Sequence, residues 1–343
     1  MPSAREIGVF PDSTKTGKHN SITDVPGVMV GHQTIRRDNL LTGVTAILPH
    51  AGDLFQEKVP AAVAVINGFG KSIGLMQVEE LGQLESPILL TNTFSVGTCG
   101  NALIRMAVEK NPQIGRTTST FSPLVCECND GYLSDIQAQA VTEEDARLAI
   151  QNACDLTVTQ GSVGAGTGMK CFGYKGGIGT ASRVITLDEK PFHLGVLVNS
   201  NFGSPEQLIL PAGWTTAASN AAQEPDKGSI IIVLATDLPV DYRQLRRVAL
   251  RCGAGLARLG SCWGHGSGDI VVAFSTAQRL QHKQAKAVIE TRMLHEERLD
   301  EIFRMAADAT AEAVLNSMLF SSATVGRDYH RVPALGDVLR RTV

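Results

Sequence analysis

The sequence predicts a mixed α and β protein in which both halves of the chain contribute strands. Two observations carry that expectation. Short Val- and Ile-rich runs recur between Val44 and Phe274, each bounded by the Gly, Pro, Asn or Asp that ends a strand and too short for a buried helix. Around them lie longer stretches whose apolar residues return at helical spacing. At 343 residues the chain has the length of two ordinary domains or of one large layered domain, and either is long enough to bury a sizeable core.

The strand candidates in the first half are residues 44–48, 61–66 and 87–90; in the second half they are 194–198, 229–235 and 270–274. Helices are expected at 142–155 and 299–315. In the first, Thr142 followed by Asp145 makes a capping-box start. In the second, Leu299, Ile302, Phe303, Ala306, Ala313 and Val314 share one face. A third helix is expected over 239–259, with Asp237 as cap and Pro239 in the first turn. Gly253 and Gly255 weaken its later part, each by about 1 kcal/mol relative to Ala, so close packing against another element is expected there.

Composition narrows the function. Hydrophobic residues make up 43% and charged residues 19%, ordinary for a globular protein. The net charge is −3, and the 31 Lys and Arg are scattered rather than gathered in a stripe, so a nucleic-acid partner is not expected. The opening MPSAREIGVF lacks a secretory pattern, and no apolar run is long enough to span a bilayer. A soluble, cytoplasmic protein with no membrane partner is the expectation. The seven cysteines are odd in number and dispersed, which argues for reduced thiols rather than a disulfide framework. Cys126 and Cys128 would share one face of a strand as small buried hydrophobes, since C-x-C alone is a poor zinc signature.

The 34 glycines concentrate between Gly161 and Gly179 and again between Gly264 and Gly268, where backbone is expected to approach a neighbour closely. Gly164-Ala-Gly-Thr-Gly168 lacks the spacing of a dinucleotide loop. Gly70-Lys71-Ser72 lacks the first glycine of a phosphate loop, Val65 standing in its place. Ser267 is not a lipase-type nucleophile, because His265 occupies the position of the first glycine.

One junction does carry chemistry. The polar, turn-prone stretch from Glu224 to Gly228 meets the strand-like run that begins at Ser229. Without a Cβ, Gly228 permits backbone conformations in which the Ser229 hydroxyl attacks the preceding carbonyl, forming an ester that water cleaves. The freed α-amine, with a pKa of about 7.7–8.0, would then accept the hydroxyl proton, making one residue both nucleophile and base. Taken locally, the same residues also describe an ordinary Gly-Ser turn entering a strand.

A broader pattern decides between them. Asn20-Ser-Ile-Thr-Asp-Val-Pro-Gly-Val28, Thr42-Gly-Val-Thr-Ala-Ile-Leu-Pro-His50, the block from Gly161 to Arg183 with Lys175-Gly-Gly-Ile-Gly-Thr180, and Ile270-Val-Val-Ala-Phe-Ser-Thr276 resemble the L-aminopeptidase/D-esterase and β-peptidyl aminopeptidase family of self-processing serine hydrolases. The resemblance implies an α+β fold, a four-layer α-β-β-α sandwich similar to N-terminal-nucleophile hydrolases with different connectivity. It implies one catalytic domain, 1–343, cleaved between Gly228 and Ser229 into fragments 1–228 and 229–343 that stay associated, in a homo-oligomer expected to be a tetramer of heterodimers. No metal or organic cofactor is implied.

The resemblance also assigns roles. Ser229 is the nucleophile, Ser267 and Asp269 of Gly266-Ser-Gly-Asp269 orient it, and the amide of Asn201 stabilises the oxyanion. Glu127 binds the ammonium of the substrate, a small aminoacyl amide, ester or peptide. A tyrosine expected two positions after that glutamate is Asn129 here, with Tyr132 three further on; both are candidate substrate-binding residues. His265 receives no catalytic role. Taken singly, Glu127 and Asp269 also read as surface carboxylates, Asn201 as a turn residue and Ser267 as a loop hydroxyl. Two other functions stand beside the aminopeptidase: an ornithine acetyltransferase-like acyl transferase, which would use Thr rather than Ser, and a non-catalytic binding protein on the same scaffold.

Overall fold

Burial on both faces of the central strands sets the architecture. The computed structural model describes residues 2–11, 14–216 and 228–341; the part of the expected linker from Glu224 to Lys227 lies outside the described residues. In chain order the main strands are β1 (Met29–Arg37), β2 (Leu40–Leu48), β3 (Glu57–Gly68), β4 (Ile88–Thr91), β5 (Leu124–Glu127), β6 (Gly177–Leu187), β7 (Lys190–Asn201), β8 (Ser229–Thr236) and β9 (Gly268–Ser275). The main helices are α1 (Val96–Lys110), α2 (Glu143–Gln151), α3 (Tyr242–Leu250), α4 (Cys252–Arg258) and α5 (Leu299–Leu319).

A four-stranded sheet runs β1-β2-β4-β5, and a seven-stranded sheet contains the consecutive order β3-β9-β8-β7-β6. Neighbours are antiparallel except β4 with β5 and β8 with β9. In β8, Ile231, Val233 and Ala235 join Ile270, Val272 and Phe274 of β9 against Ile47, Ile88, Leu90 and Cys126 of the other sheet. The alternate residues Ile230, Ile232 and Leu234 turn the other way, onto Leu245, Val248, Leu256 and Ile302 of α3, α4 and α5. On the far side, Val44, Ala46 and Leu89 pack against Cys99 and Leu103 of α1 and Ala146 and Ala149 of α2. The layers are therefore α-β-β-α. A strand buried on both faces favours apolar residues on each, which is why residues 230–235 of β8 read as a continuous hydrophobic run; a Val, Leu or Ile side chain contributes about 1.5–3 kcal/mol when fully buried.

All six expected strands form, though the run at 87–90 is displaced by one residue to Ile88–Thr91. The Thr142–Asp145 capping box is present, and its helix ends at Gln151, earlier than expected. The helix expected over 239–259 is two helices, broken at Arg251. Its cap is Asp241, which accepts from the Gln244 amide at 2.7 Å, rather than Asp237, which accepts the His193 amide at 2.6 Å. Gly255 does have the expected reason: a Cβ there would lie 2.4 Å from the Ala307 carbonyl of α5.

The glycine-rich block is a packing device. A Cβ at Gly179 in β6 would stand 1.9 Å from the Ala313 carbonyl, so the strand and α5 touch through backbone. Lys175 is fully buried, and its Nζ donates to the carbonyls of Gly166 at 3.0 Å and Gly176 at 2.7 Å. The amides of Gly164 and Ala165 are taken by Thr34 and Thr45 of β1 and β2. Cys126 and Cys128 are buried between the sheets as expected; burial pushes the Cys126 thiol up to about 12, and Cys128 Sγ donates to the Asn199 carbonyl of β7 at 3.4 Å. Among the described residues no helix is long and apolar enough to cross a membrane.

Candidate active site

Strand register gathers the region around Ser229. Ser229 is the first residue of β8; its Cα partners are Asn201, the last residue of β7, and Gly268, the first of β9. The Gly268 amide donates to Ser229 Oγ at 3.2 Å. One residue either side of Gly268, Ser267 Oγ donates to Asp269 Oδ1 at 3.0 Å, and both residues are fully buried. Gly228 is held so close to β7 that a Cβ would fall 2.0 Å from the Asn201 carbonyl. No side chain fits there, which gives this glycine a steric reason independent of any turn.

The Asn201 side chain is oriented from both ends. Its Oδ1 accepts the Lys170 amide at 2.9 Å, and its Nδ2 donates to the Asn129 carbonyl at 2.9 Å. An amide nitrogen carries two hydrogens, and the Asn129 carbonyl takes one of them. The Asn129 contribution is thus made by its backbone; its side-chain oxygen accepts the Gly131 amide at 2.8 Å. Tyr132 stacks on His330 with ring centroids 4.5 Å apart, and Lys170 Nζ lies 3.9 Å from the Tyr132 ring centroid.

The four-stranded sheet supplies Glu127, the C-terminal residue of β5, only 2% exposed. Its Oε1 accepts the Lys71 amide at 2.9 Å and its Oε2 accepts the Thr93 hydroxyl. The turn that carries Thr93 is fixed by Asn92, whose Oδ1 accepts the amides of Phe94 and Ser95 at 3.0 and 3.1 Å. Glu127 and the Ser229 region are bridged by the segment after β3. A Cβ on Gly268 would lie 3.3 Å from the Gly70 Cα, and one on Gly70 would lie 3.7 Å from Glu127 Oε1. The C-terminal ends of the parallel pair β4/β5 and the N-terminal ends of the parallel pair β8/β9 therefore open on one site.

Asp130, fully buried three residues after Glu127, was not singled out by the sequence. Burial raises its carboxyl to about 7; Thr42 and Asn92 beside it pull the other way, yet neither reaches it with full hydrogen-bond geometry. Other groups invisible to local motifs are the amide of Gly268, the amide of Lys71, the Thr93 hydroxyl, and Asn67, whose Nδ2 ties down the 264–267 loop through the carbonyls of Gly264 at 3.0 Å and Ser267. Backbone donors and single polar side chains have no sequence signature; only the density of glycine near residue 268 hinted at one of them. His265, left outside the catalytic set, is an exposed residue of that loop. Among the described residues no cluster of three or more His, Cys, Asp or Glu is arranged to hold a metal ion.

A four-layer fold with these polar groups at the meeting of two sheet ends defines a hydrolase of the N-terminal-nucleophile type. Residues 20–332 match peptidase family S58, and the chain belongs to that family. A β-peptidyl aminopeptidase, BapA, of Sphingosinicella microcystinivorans is 38% identical, the match covering 97% of this chain and 89% of that protein. The PH0078 protein of Pyrococcus horikoshii OT3 superposes with a TM-score of 0.91 at 44% identity, over 97% of this chain and 96% of the other. The L-aminopeptidase D-Ala-esterase/amidase of Ochrobactrum anthropi, described as a prototype serine aminopeptidase and a new variant of the Ntn hydrolase fold, superposes with a TM-score of 0.87 at 36% identity, covering 100% and 96%. The chain is an aminopeptidase, and the acyl-transferase alternative is not favoured.

Proposed function

We propose that this enzyme cleaves itself between Gly228 and Ser229 and then hydrolyses N-terminal aminoacyl amides, esters or short peptides through an acyl-enzyme on Ser229. The observation that carries this reading is the position of Ser229: first residue of a central strand, hydroxyl met by the Gly268 amide, and preceded by a glycine that admits no side chain. In the first step Ser229 Oγ bonds to the Gly228 carbonyl carbon while the C–N bond breaks, and water cleaves the resulting ester. The new α-amine of Ser229 then takes the hydroxyl proton during attack on substrate. Asn201 Nδ2 donates to the oxyanion, a contribution of about 2.7–4 kcal/mol for such a donor. Ser267 and Asp269 orient the nucleophile and its amine, and Glu127 receives the substrate ammonium, which fixes the exopeptidase register. Water releases the acyl group and restores Ser229.

The relatives are named for β-peptidyl, L-aminoacyl and D-alanyl activities, and these names support a search for this enzyme's substrates among such compounds. Fragments 1–228 and 229–343 remain together in this reading because β8 and β9 lie between β3 and β7 in one sheet. Assembly into a tetramer of such heterodimers, which sedimentation would reveal, and a cytoplasmic location belong to the same proposal. The test is Ser229→Ala, followed by denaturing gel, intact mass and hydrolysis of aminoacyl p-nitroanilides. Loss of both splitting and turnover is expected; a variant that still turns over would remove Ser229 as the nucleophile of hydrolysis, and one that still splits would remove it from self-cleavage.

A further inference from the structure

The bridging segment after β3 does more than fill space. The Phe69 carbonyl lies where a Cβ on Gly268 would meet it at 2.8 Å, and the Lys71 amide bonds Glu127 Oε1 at 2.9 Å. The side chains of these two residues reach solvent. Phe69 is 50% exposed, its ring 6.0 Å from that of His265, two residues before Ser267. The ammonium of exposed Lys71 lies 4.0 Å from the Phe69 ring centroid, so it is folded back beside the site. An exposed cation-π contact is weak, so a better partner can draw the ammonium off the ring. Lys170, beyond Asn201, holds a second ammonium over Tyr132. A buried carboxylate held by the amide of a residue that itself carries an exposed ammonium is matched to a substrate with an ammonium and a carboxylate close together.

We propose that the enzyme favours carboxylate-bearing acyl groups and that Lys71 selects them, a β-aspartyl group fitting best. The inference rests on the reading of Glu127 as ammonium site and Ser229 as nucleophile. In a β-aspartyl group the ammonium and the α-carboxylate share one carbon, and the scissile carbonyl is one methylene further on. With the ammonium on Glu127, the geminal carboxylate lies beside the residue whose own amide bonds Glu127, within reach of its flexible side chain, and the carbonyl extends along Gly70 toward Ser229. α-Aspartyl and α-glutamyl groups carry their carboxylate further from the ammonium and meet this arrangement less well. Turnover is ordinary hydrolysis: the C–N bond breaks, the amine leaves with a proton, and water cleaves the Ser229 ester to release aspartate.

The experiment compares β-aspartyl and β-alanyl p-nitroanilides, which differ only by that carboxylate, on the full chain and on Lys71→Met, Lys71→Arg and Lys170→Met. Wild type should prefer β-aspartyl by up to about fivefold in kcat/KM, the upper range for a solvent-exposed ion pair, and the preference should shrink with added salt. Lys71→Met should collapse the ratio and Lys71→Arg should keep it. Cleavage of β-alanyl substrate with no preference, or a preference that survives Lys71→Met, or one lost only in Lys170→Met, overturns the proposal while leaving the aminopeptidase site standing. Failure to cleave either substrate or any L- or D-aminoacyl p-nitroanilide removes the site reading and the proposal together.

Discussion

The seven-stranded sheet brings Asn201, Ser229 and Gly268 together through register alone, whereas the four-stranded sheet ends at Glu127 and leaves that carboxylate to be held by the amide of Lys71 and the hydroxyl of Thr93. One half of the site is a property of backbone pairing; the other depends on side-chain and loop contacts. A register-built site is expected to fail abruptly when backbone is displaced. A loop-built one should degrade by steps, in substrate affinity first.

Gly228→Ala is the severest test of that contrast. Its Cβ would collide with the Asn201 carbonyl at 2.0 Å, and a displacement of this kind costs about 10²-fold or more in rate. Gel analysis should show an uncut chain with little turnover, and an alanine variant that splits and works normally would break the idea of a strict register. Glu127→Gln should act mainly on KM, by about 30-fold or more, as expected for loss of one partner of a buried charged pair. If its kcat falls instead with KM unchanged, Glu127 does not bind the ammonium. Thr93→Ala removes one hydrogen bond to that carboxylate and should raise KM by about tenfold.

The smallest effect is on stability. Asp130 has its folded pKa raised to about 7 from 3.8, chiefly by burial, so the fold favours the protonated acid. Its contribution is complete below about pH 4 and is lost as pH rises through about 7. Asp130→Asn, which cannot ionise, should therefore raise Tm relative to wild type at pH 8 and much less at pH 4.5. Equal shifts at both pH values would show that Asp130 is not held protonated.

The same contrast explains what the sequence made legible. β8 and β9 were readable because burial on both faces forces continuous Val and Ile. β6 was not, because its closeness to α5 selects Gly, Thr, Ala and Ser, which look like a loop. β1, an edge strand with only part of its length buried, and α1, interrupted by Gly97 and Gly100, gave weak periodicity. The break between α3 and α4 and the cap at Asp241 were lost to a plausible earlier cap at Asp237. At the site, the Gly228-Ser229 junction was visible as a change of composition, and family resemblance pointed to Asn201, Glu127, Ser267 and Asp269. Their supports, Gly268, Lys71, Thr93 and Asn67, come from distant strands and loops, and only the tertiary fold brings them into reach.

The order β3-β9-β8-β7 has a consequence for a chain broken before Ser229. The strands of the second piece would lie between strands of the first, so each piece would complete the other's hydrogen-bond ladder, and neither would present a finished sheet alone. Unfolding would then release two molecules instead of one. The melting temperature of the cut enzyme would rise with protein concentration while that of the uncut chain would not, turning a peptide bond's presence or absence into a change of reaction order.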